Sequence, residues 1–435
     1  MVSTPFLTDL DKRADIKGSR DPLGVQSIWT RMGRRVVGNL TTVSTSVRDF
    51  TVTMLGYYFA ERVAEETDSS DDLNVFLRWE QLAAYARGGG NNDWVFRGTE
   101  RTKKNWDAAD RIRLGVDSGS FILSDQKTYG LWGLYSVPSR SSGLVEGSPT
   151  RLTAEGRQFV EENYLPVLDG KARTRGEALV DLLAKRSVEL RPKDRDRVLF
   201  DAVANALRRK FSAAERSLYV RHLIEGGPTD STHGGQRVLA DAMRTTFDVK
   251  DWQLSPAVVN HLAKQCRVEA TDTGRQVAEY LDRIRIAEQL LAPCVSFFGY
   301  LLSSDGQRLD DVAASVRKQW GSGLRSVDPK ALEAIEPELI DASGERESAR
   351  RWLAIAVALA QGDYATAVKH LIDQNREVMV MRGGAAPWVE IRDGKLHVKF
   401  VAEAGDLPTR EDLSVHWIHS YFLDSLRTVT KELEA

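Results

Sequence analysis

Two cysteines in 435 residues, Cys266 and Cys294, exclude a disulfide framework and a cysteine-built zinc cluster, and they point to a reducing compartment, the cytoplasm. Long apolar runs are missing as well. Nothing approaches the roughly 20 residues that a membrane span needs, so no membrane role is expected. The opening M-V-S-T-P-F-L-T-D-L-D-K-R has no charged leader followed by an apolar stretch, which predicts no secretory signal. A dominant charge is also lacking: 60 Lys and Arg face 62 Asp and Glu, a formal net charge of −2. Global attraction to nucleic acid is thereby excluded, and any such binding has to rest on local patches.

Catalytic fingerprints are equally scarce. A nucleophile elbow G-x-S-x-G, a Walker phosphate loop and a dinucleotide-binding G-x-G-x-x-G are all absent. Gly88-Gly89-Gly90-Asn91-Asn92 has neither the Lys-Ser/Thr ending nor a preceding strand pattern, and reads as a loop. Of the seven histidines only His416 and His419 are spaced to share a helix face, and no third ligand stands at metal-binding spacing. No cofactor and no metal are expected, and no residue is assigned a catalytic role.

What is present is an ordinary globular composition, 42% apolar and 28% charged, with helical periodicity through most of the chain. The expected fold is mainly α with small β-hairpins. Four segments are predicted: an N-terminal arm and helix over 1–70, a compact hairpin-bearing module over 71–170, a larger helical domain over 171–380, and a hairpin with a terminal helix over 381–435. Asp21-Pro22-Leu23-Gly24 is a turn, after which apolar residues from Val36 to Ala60 predict one buried helix, with Thr41–Ser46 as a loop or helix start. Leu73 to Arg87 and Asp107 to Leu114 read as helices, and Phe121-Ile122-Leu123 as a short strand or helix end. Stops are expected at Gly226-Gly227-Pro228, Gly234-Gly235, Pro293, Gly306, Gly321 to Gly323 and Gly344. The run R-W-L-A-I-A-V-A-L-A-Q-G-D-Y-A-T-A-V-K-H-L predicts two helices around a Gly362-Asp363 turn. P-W-V-E-I-R-D-G-K-L-H-V-K-F-V alternates on both sides of Asp393-Gly394, a strong hairpin signal. A last helix is expected from about Leu413, carrying Trp417 and Tyr421.

The stretch Ser142 to Val160 is the most informative. Gly143, Gly147 and Pro149 punctuate the runs Leu144-Val145 and Arg151-Leu152 as a tight reversal would, and Thr153 stands where a helix N-cap belongs. The pattern G-L-V, a polar turn, then R-L-T-A-E-G-R resembles the wing and following helix of winged-helix repressors of the multiple-antibiotic-resistance regulator type. That resemblance implies a winged-helix-like module whose wing touches the DNA backbone through Arg151 and Arg157. The segment in the place of a recognition helix, Thr128 to Ser142, contains Gly130, Gly133 and Pro138, which predict an interrupted helix, while Tyr129, Trp132 and Tyr135 are expected to fill a core.

Basic residues cluster on both sides of the wing. Between Lys171 and Lys210 twelve stand against six acidic ones, and a smaller set lies between Arg97 and Arg113. Candidate phosphate contacts are therefore Arg151, Arg157, Arg140, Lys171, Arg173, Arg175, Lys103 and Lys104. Over the whole chain, D-P-L-G followed by Trp29-Thr30-Arg31, the L-T-x-x-G-R segment and the helical remainder are similar to accessory proteins of bacterial defence islands encoded beside helicases or ATPases. This implies a non-catalytic nucleic-acid-binding or assembly subunit of a bacterial complex acting against phage or other foreign DNA, with DNA and an ATPase or helicase as partners and a homo-oligomer left open. Two alternatives stand beside it. One is a winged-helix transcription regulator; the other is a metal-dependent nuclease using Glu390, Asp393, Lys395 and Lys399 of the C-terminal hairpin.

Overall fold

The computed structural model describes residues 21–67, 71–108, 110–169, 175–344, 346–384, 386–400 and 405–435. The chain is mainly helical, and strands occur among the described residues only as three antiparallel pairs: Ile112–Gly115 with Ser187–Leu190, Val145–Glu146 with Arg151–Leu152, and Val389–Arg392 with Lys395–Val398. Two compact units share the chain in alternation. One takes the described part of Met1–Gly33, then Asp251–Ala270 and Arg275–Tyr421; the other takes Arg34–Lys250, Thr271–Gly274 and Phe422–Ala435.

The second of these units is organised around the helix Val47–Thr67, whose residues are buried on every side from Val47 to Ala60. It packs on the helix Asp72–Tyr85 at Gly56, where the Phe76 ring occupies the space a Cβ would need, and the Trp79 indole donates to the Val52 carbonyl at 2.9 Å. A single helix from Val36 onward does not form. After the helix Val25–Arg34 the chain is irregular to Ser46, because the Arg34 guanidinium gathers the carbonyls of Val37, Gly38 and Leu40 at 3.3, 3.0 and 2.5 Å. The Thr41–Ser46 loop is where it was expected.

The segment beyond Tyr85 is not a loop. Ala86–Gly90 continues as a π-helical turn, and its glycines let rings pack onto the backbone, Trp94 against Gly88 and Trp106 against Gly89. The helix expected over Asp107–Leu114 lies earlier, at Thr99–Ala108; Ile112 and Leu114 alternate into the core as a strand against Ser187–Leu190. Phe121–Leu123 is neither strand nor helix, only bends around a buried Ile122.

The hairpin after Ser142 forms with Val145 opposite Leu152, and the Thr153 hydroxyl accepts from the Gly156 N–H at 3.2 Å to cap the helix Ala154–Phe159. The preceding segment is interrupted only at Gly130; the helix Leu131–Ser141 runs through Gly133 and Pro138. Pro138 stands in the last turn, where its missing N–H removes one bond and spoils nothing beyond it. Tyr135 is fully buried and Trp132 packs on Tyr57 and Phe76, whereas Tyr129 is 48% exposed and fills no core.

In the other unit the helix Asp272–Leu302 passes through Pro293 without the expected stop. Arg346–Gln361 and Tyr364–Met381 form the anticipated helix pair, and Asp363 caps the second helix by accepting from the Thr366 N–H at 3.1 Å. Asp393 and Gly394 both take positive φ, 51° and 72°, in the tight turn of the C-terminal hairpin. The last helix starts only at Leu423. Upstream of it the buried Glu288 carboxylate accepts the N–H groups of Ile418 and His419 at 2.7 and 3.0 Å and the Tyr421 hydroxyl at 2.8 Å, which draws this stretch out of helical form. His416 and His419 therefore share no helix face. His416 meets the Ser296 hydroxyl at 2.9 Å, and His419 lies 2.8 Å from Glu288.

Candidate anion-binding cleft

The wing arginines are already engaged. Arg151 is paired with Asp72 at 2.6 Å, and Arg157 with Glu61, with Glu65 and Glu161 close by. Arg140 is exposed and donates to the Thr150 hydroxyl at 2.6 Å and the Gly147 carbonyl at 3.3 Å, bracing the hairpin turn. Lys103 pairs with Asp107 at 3.5 Å and stands over the Trp94 ring, while Lys104 is exposed on the same short helix. Arg175 opens the helix Arg175–Ala184; Lys171 and Arg173 lie outside the described residues. In the basic run beyond them Arg191 is neutralised locally by Asp194, Arg195 by Asp196 and Arg197 by Asp201.

A different set of cations converges, within the unit built on Val47–Thr67, around a cleft of about 880 Å³. Arg48 comes from the first turn of that helix, and Arg87 from the π-helical turn. Arg209 and Lys210 follow the helix Arg197–Ala206, Arg216 lies on Ala213–Tyr219, and Arg427 and Lys431 lie on Leu423–Glu434. Seven cationic side chains thus meet two side-chain carboxylates in the wall, Asp93 and Glu432. Even when Asp49 and Glu215, which pair with Arg87 and Arg48, are added, seven face four. In a concave, partly desolvated wall an excess of that sign concentrates anions.

The members differ in how far their donors are used. Arg87 is engaged on all three nitrogens: it bonds Asp49 at 2.5 Å, Asp93 at 2.8 Å and the Val95 carbonyl at 2.9 Å. Arg209, largely exposed, shares Asp93 at 3.1 Å, and Lys210 is exposed beside it. Arg216 donates to the Leu433 carbonyl, Arg427 to the Thr246 hydroxyl and carbonyl at 3.0 and 2.7 Å, and Lys431 to the Phe247 carbonyl at 2.9 Å. These three hold the last helix to the unit while keeping their charge at the cleft.

Arg48 is the exception. Its side chain is 2% exposed; Nη1 donates to Glu215 at 2.6 Å and to the Thr51 hydroxyl at 3.3 Å, and the face of the guanidinium lies 4.3 Å from the Phe211 ring centre. Nε and Nη2 have no partner among the described residues. A buried donor left unpaired costs about 1–3 kcal/mol, and more when it is charged. Glu215 is fixed from the other side by the Ser212 N–H at 2.7 Å and the Tyr164 hydroxyl at 2.8 Å. Burial pushes its carboxyl up, but the Arg48 charge and these bonds outweigh that and hold it below the ordinary carboxylate range. Burial lifts the Tyr219 phenol, bonded to Thr51 at 2.6 Å, to about 12, so it stays a neutral support.

Sequence reasoning located Arg209 and Lys210 inside the basic run and missed the rest, which come from segments scattered along the chain. One signal was available: Val47-Arg48-Asp49-Phe50 sets two charges in an otherwise apolar helix start, a place where a charge is tolerated only if paired or used. In the C-terminal hairpin Glu390 is paired with Arg392 at 2.5 Å and approached by Lys399 at 3.8 Å, so it is held in a surface charge cluster. No group of three His, Cys, Asp or Glu able to hold a metal ion occurs among the described residues. No family model, no curated protein and no solved structure matches this chain.

Proposed function

We propose that this protein binds nucleic acid without cleaving it, gripping phosphates of a single strand in the basic cleft. The observation that carries this reading is the convergence of seven Arg and Lys side chains from separate segments on one concavity, in a chain whose net charge is −2. A cavity of that volume is roughly 10 to 12 Å across, which admits a single strand or a strand end and is too narrow for a duplex, whose major groove alone is about 12 Å wide. No aromatic face other than Phe211, already under Arg48, lines it, which favours phosphate contact over base stacking and hence binding indifferent to sequence. The role of accessory subunit beside an ATPase or helicase, implied by the resemblance of the D-P-L-G and L-T-x-x-G-R segments, fits such a grip.

A regulator that reads the major groove is less well supported. The exposed positions of the helix Leu131–Ser141 are Gly133, Val137 and Arg140, with Val137 55% exposed, so Arg140 alone offers donors to base edges, and its guanidinium is turned to Thr150 and Gly147 of the hairpin. Fluorescence anisotropy with labelled single-stranded DNA tests the cleft. Arg209→Glu with Lys210→Glu is expected to weaken binding at least about tenfold, because each reversal both removes a phosphate contact and adds repulsion. Arg151→Glu with Arg157→Glu is expected to change it less. The reverse order of effects would move the binding surface to the wing.

A further inference from the structure

We infer that the cleft contains a dedicated subsite for a terminal phosphate, formed by the free edge of the Arg48 guanidinium; the inference rests on the reading of the cleft as a nucleic-acid site. Three observations point there. The guanidinium is committed on one nitrogen, Nη1, to Glu215 and Thr51, and on its face to the Phe211 ring. What remains is the edge made by Nε and Nη2, two parallel N–H donors whose spacing matches two oxygens of one phosphate. Both atoms are buried and lack a partner among the described residues, although Arg48 is part of the cleft wall.

The remainder of the surrounding network gives the edge a fixed position. Glu215 is anchored by Ser212 and Tyr164, and Tyr164 and Tyr219 lie 3.3 Å apart, oxygen to oxygen, so the fork is oriented before a ligand arrives. That limits the conformational entropy lost on binding.

Burial also selects the kind of phosphate. With Nε and Nη2 closed even to a water molecule, the cleft wall has to give slightly to admit a ligand, and only a group that projects from its carrier can then reach the edge. An internal phosphodiester carries a nucleoside on each side and is held off, whereas a phosphomonoester presents three unencumbered oxygens and at neutral pH a charge near −2. The shared chemistry is a terminal phosphomonoester, whether on a strand end or on a free nucleotide.

The test is competition anisotropy on the full chain with one short single-stranded sequence in three forms: 5′-phosphorylated, 3′-phosphorylated and hydroxyl-ended at both termini. One phosphorylated form is expected to bind at least about tenfold more tightly than the hydroxyl-ended strand, the worth of a charge-assisted pair of hydrogen bonds. Arg48→Lys keeps a cation beside Glu215 but loses the fork, and is expected to bring that ratio to within about twofold. If this variant does not fold, the comparison of strands on the unaltered protein still decides. Adenosine monophosphate as competitor separates the sources: displacement at concentrations similar to those of the phosphorylated strand assigns the subsite to a free nucleotide, and much weaker displacement assigns it to a strand end. Equal binding of all three strands overturns the subsite, and the cleft reading survives that result if Arg209→Glu with Lys210→Glu still weakens all three. Should none of the strands respond to that double variant, the cleft reading fails as well.

Discussion

The carboxylate of Glu80 sits among the apolar residues of the helix Asp72–Tyr85, accepting from the Leu131 N–H at 2.7 Å and the Gln126 amide at 2.8 Å. Burial is the dominant influence and pushes its carboxyl from an ordinary 4.5 up to about 7, against these two hydrogen bonds. The folded chain therefore keeps a proton there that the unfolded chain has already released. Between about pH 4.5 and pH 7 the folded state binds more protons, so this group makes stability fall as pH rises through that window and level off above it. A shift of that size corresponds to about 3 kcal/mol. Denaturant unfolding at pH 5 and pH 8, run on the protein and on Glu80→Gln, isolates the contribution. The unaltered chain is expected to lose about 2.5 kcal/mol more than the variant across that interval, and equal losses would show that Glu80 ionises as freely folded as unfolded. The signal for such a residue is in the text of the chain, since Arg78 and Glu80 interrupt the apolar run of F-L-R-W-E-Q-L; the direction of the shift is not, because it depends on Leu131 and Gln126, which come from elsewhere.

Elements were legible wherever a local signal decides them. Thr153 caps its helix, Asp393-Gly394 turns its hairpin, and Gly362-Asp363 separates two helices, each through bonds made within a few residues. Where a distant partner decides, the reading failed: Ile112–Gly115 is a strand because Ser187–Leu190 lies beside it, and the chain before Leu423 is irregular because Glu288 claims its backbone donors. The glycine run is the instructive case. Gly88-Gly89-Gly90 carries the composition of a loop, yet Trp94 and Trp106 press onto it and keep it in a π-helical turn. A Cβ on Gly89 would overlap the Trp106 ring, so Gly89→Ala is expected to destabilise by about 1–3 kcal/mol, as overpacking does. Gly299 lies inside the helix Asp272–Leu302 with nothing within 4 Å of a Cβ, and Gly299→Ala is expected to stabilise by about 0.5–1 kcal/mol. Thermal unfolding measures both: opposite signs support the packing account, and a raised midpoint for both would mean that backbone effects alone were at work.

At the scale of the molecule the cleft belongs to no one stretch of sequence. Its cations come from residues 48, 87, 209, 210, 216, 427 and 431, and no window along the chain registers more than two or three of them together. Charge runs mislead for a related reason, because Arg191, Arg195 and Arg197 carry their own carboxylates with them. A protein that is acidic overall and basic in one concavity should bind a strand through few phosphates, with repulsion from the rest of its surface. This sets the salt dependence. Seven cationic side chains against four side-chain carboxylates at and behind the wall leave an excess of three, and about 0.7 counterions are released for each single-strand phosphate neutralised, so log K against log salt should fall with a slope near −2. Between 50 and 200 mM salt, that is a loss of roughly twentyfold in affinity. Titrations of a hydroxyl-ended strand across that range measure the slope directly. A value close to −2 that becomes shallower in Arg209→Glu with Lys210→Glu assigns the contacts to the cleft. A slope steeper than about −5 would require some seven phosphates, more than a cavity of 880 Å³ can hold, and would place most of the binding energy on a wider surface.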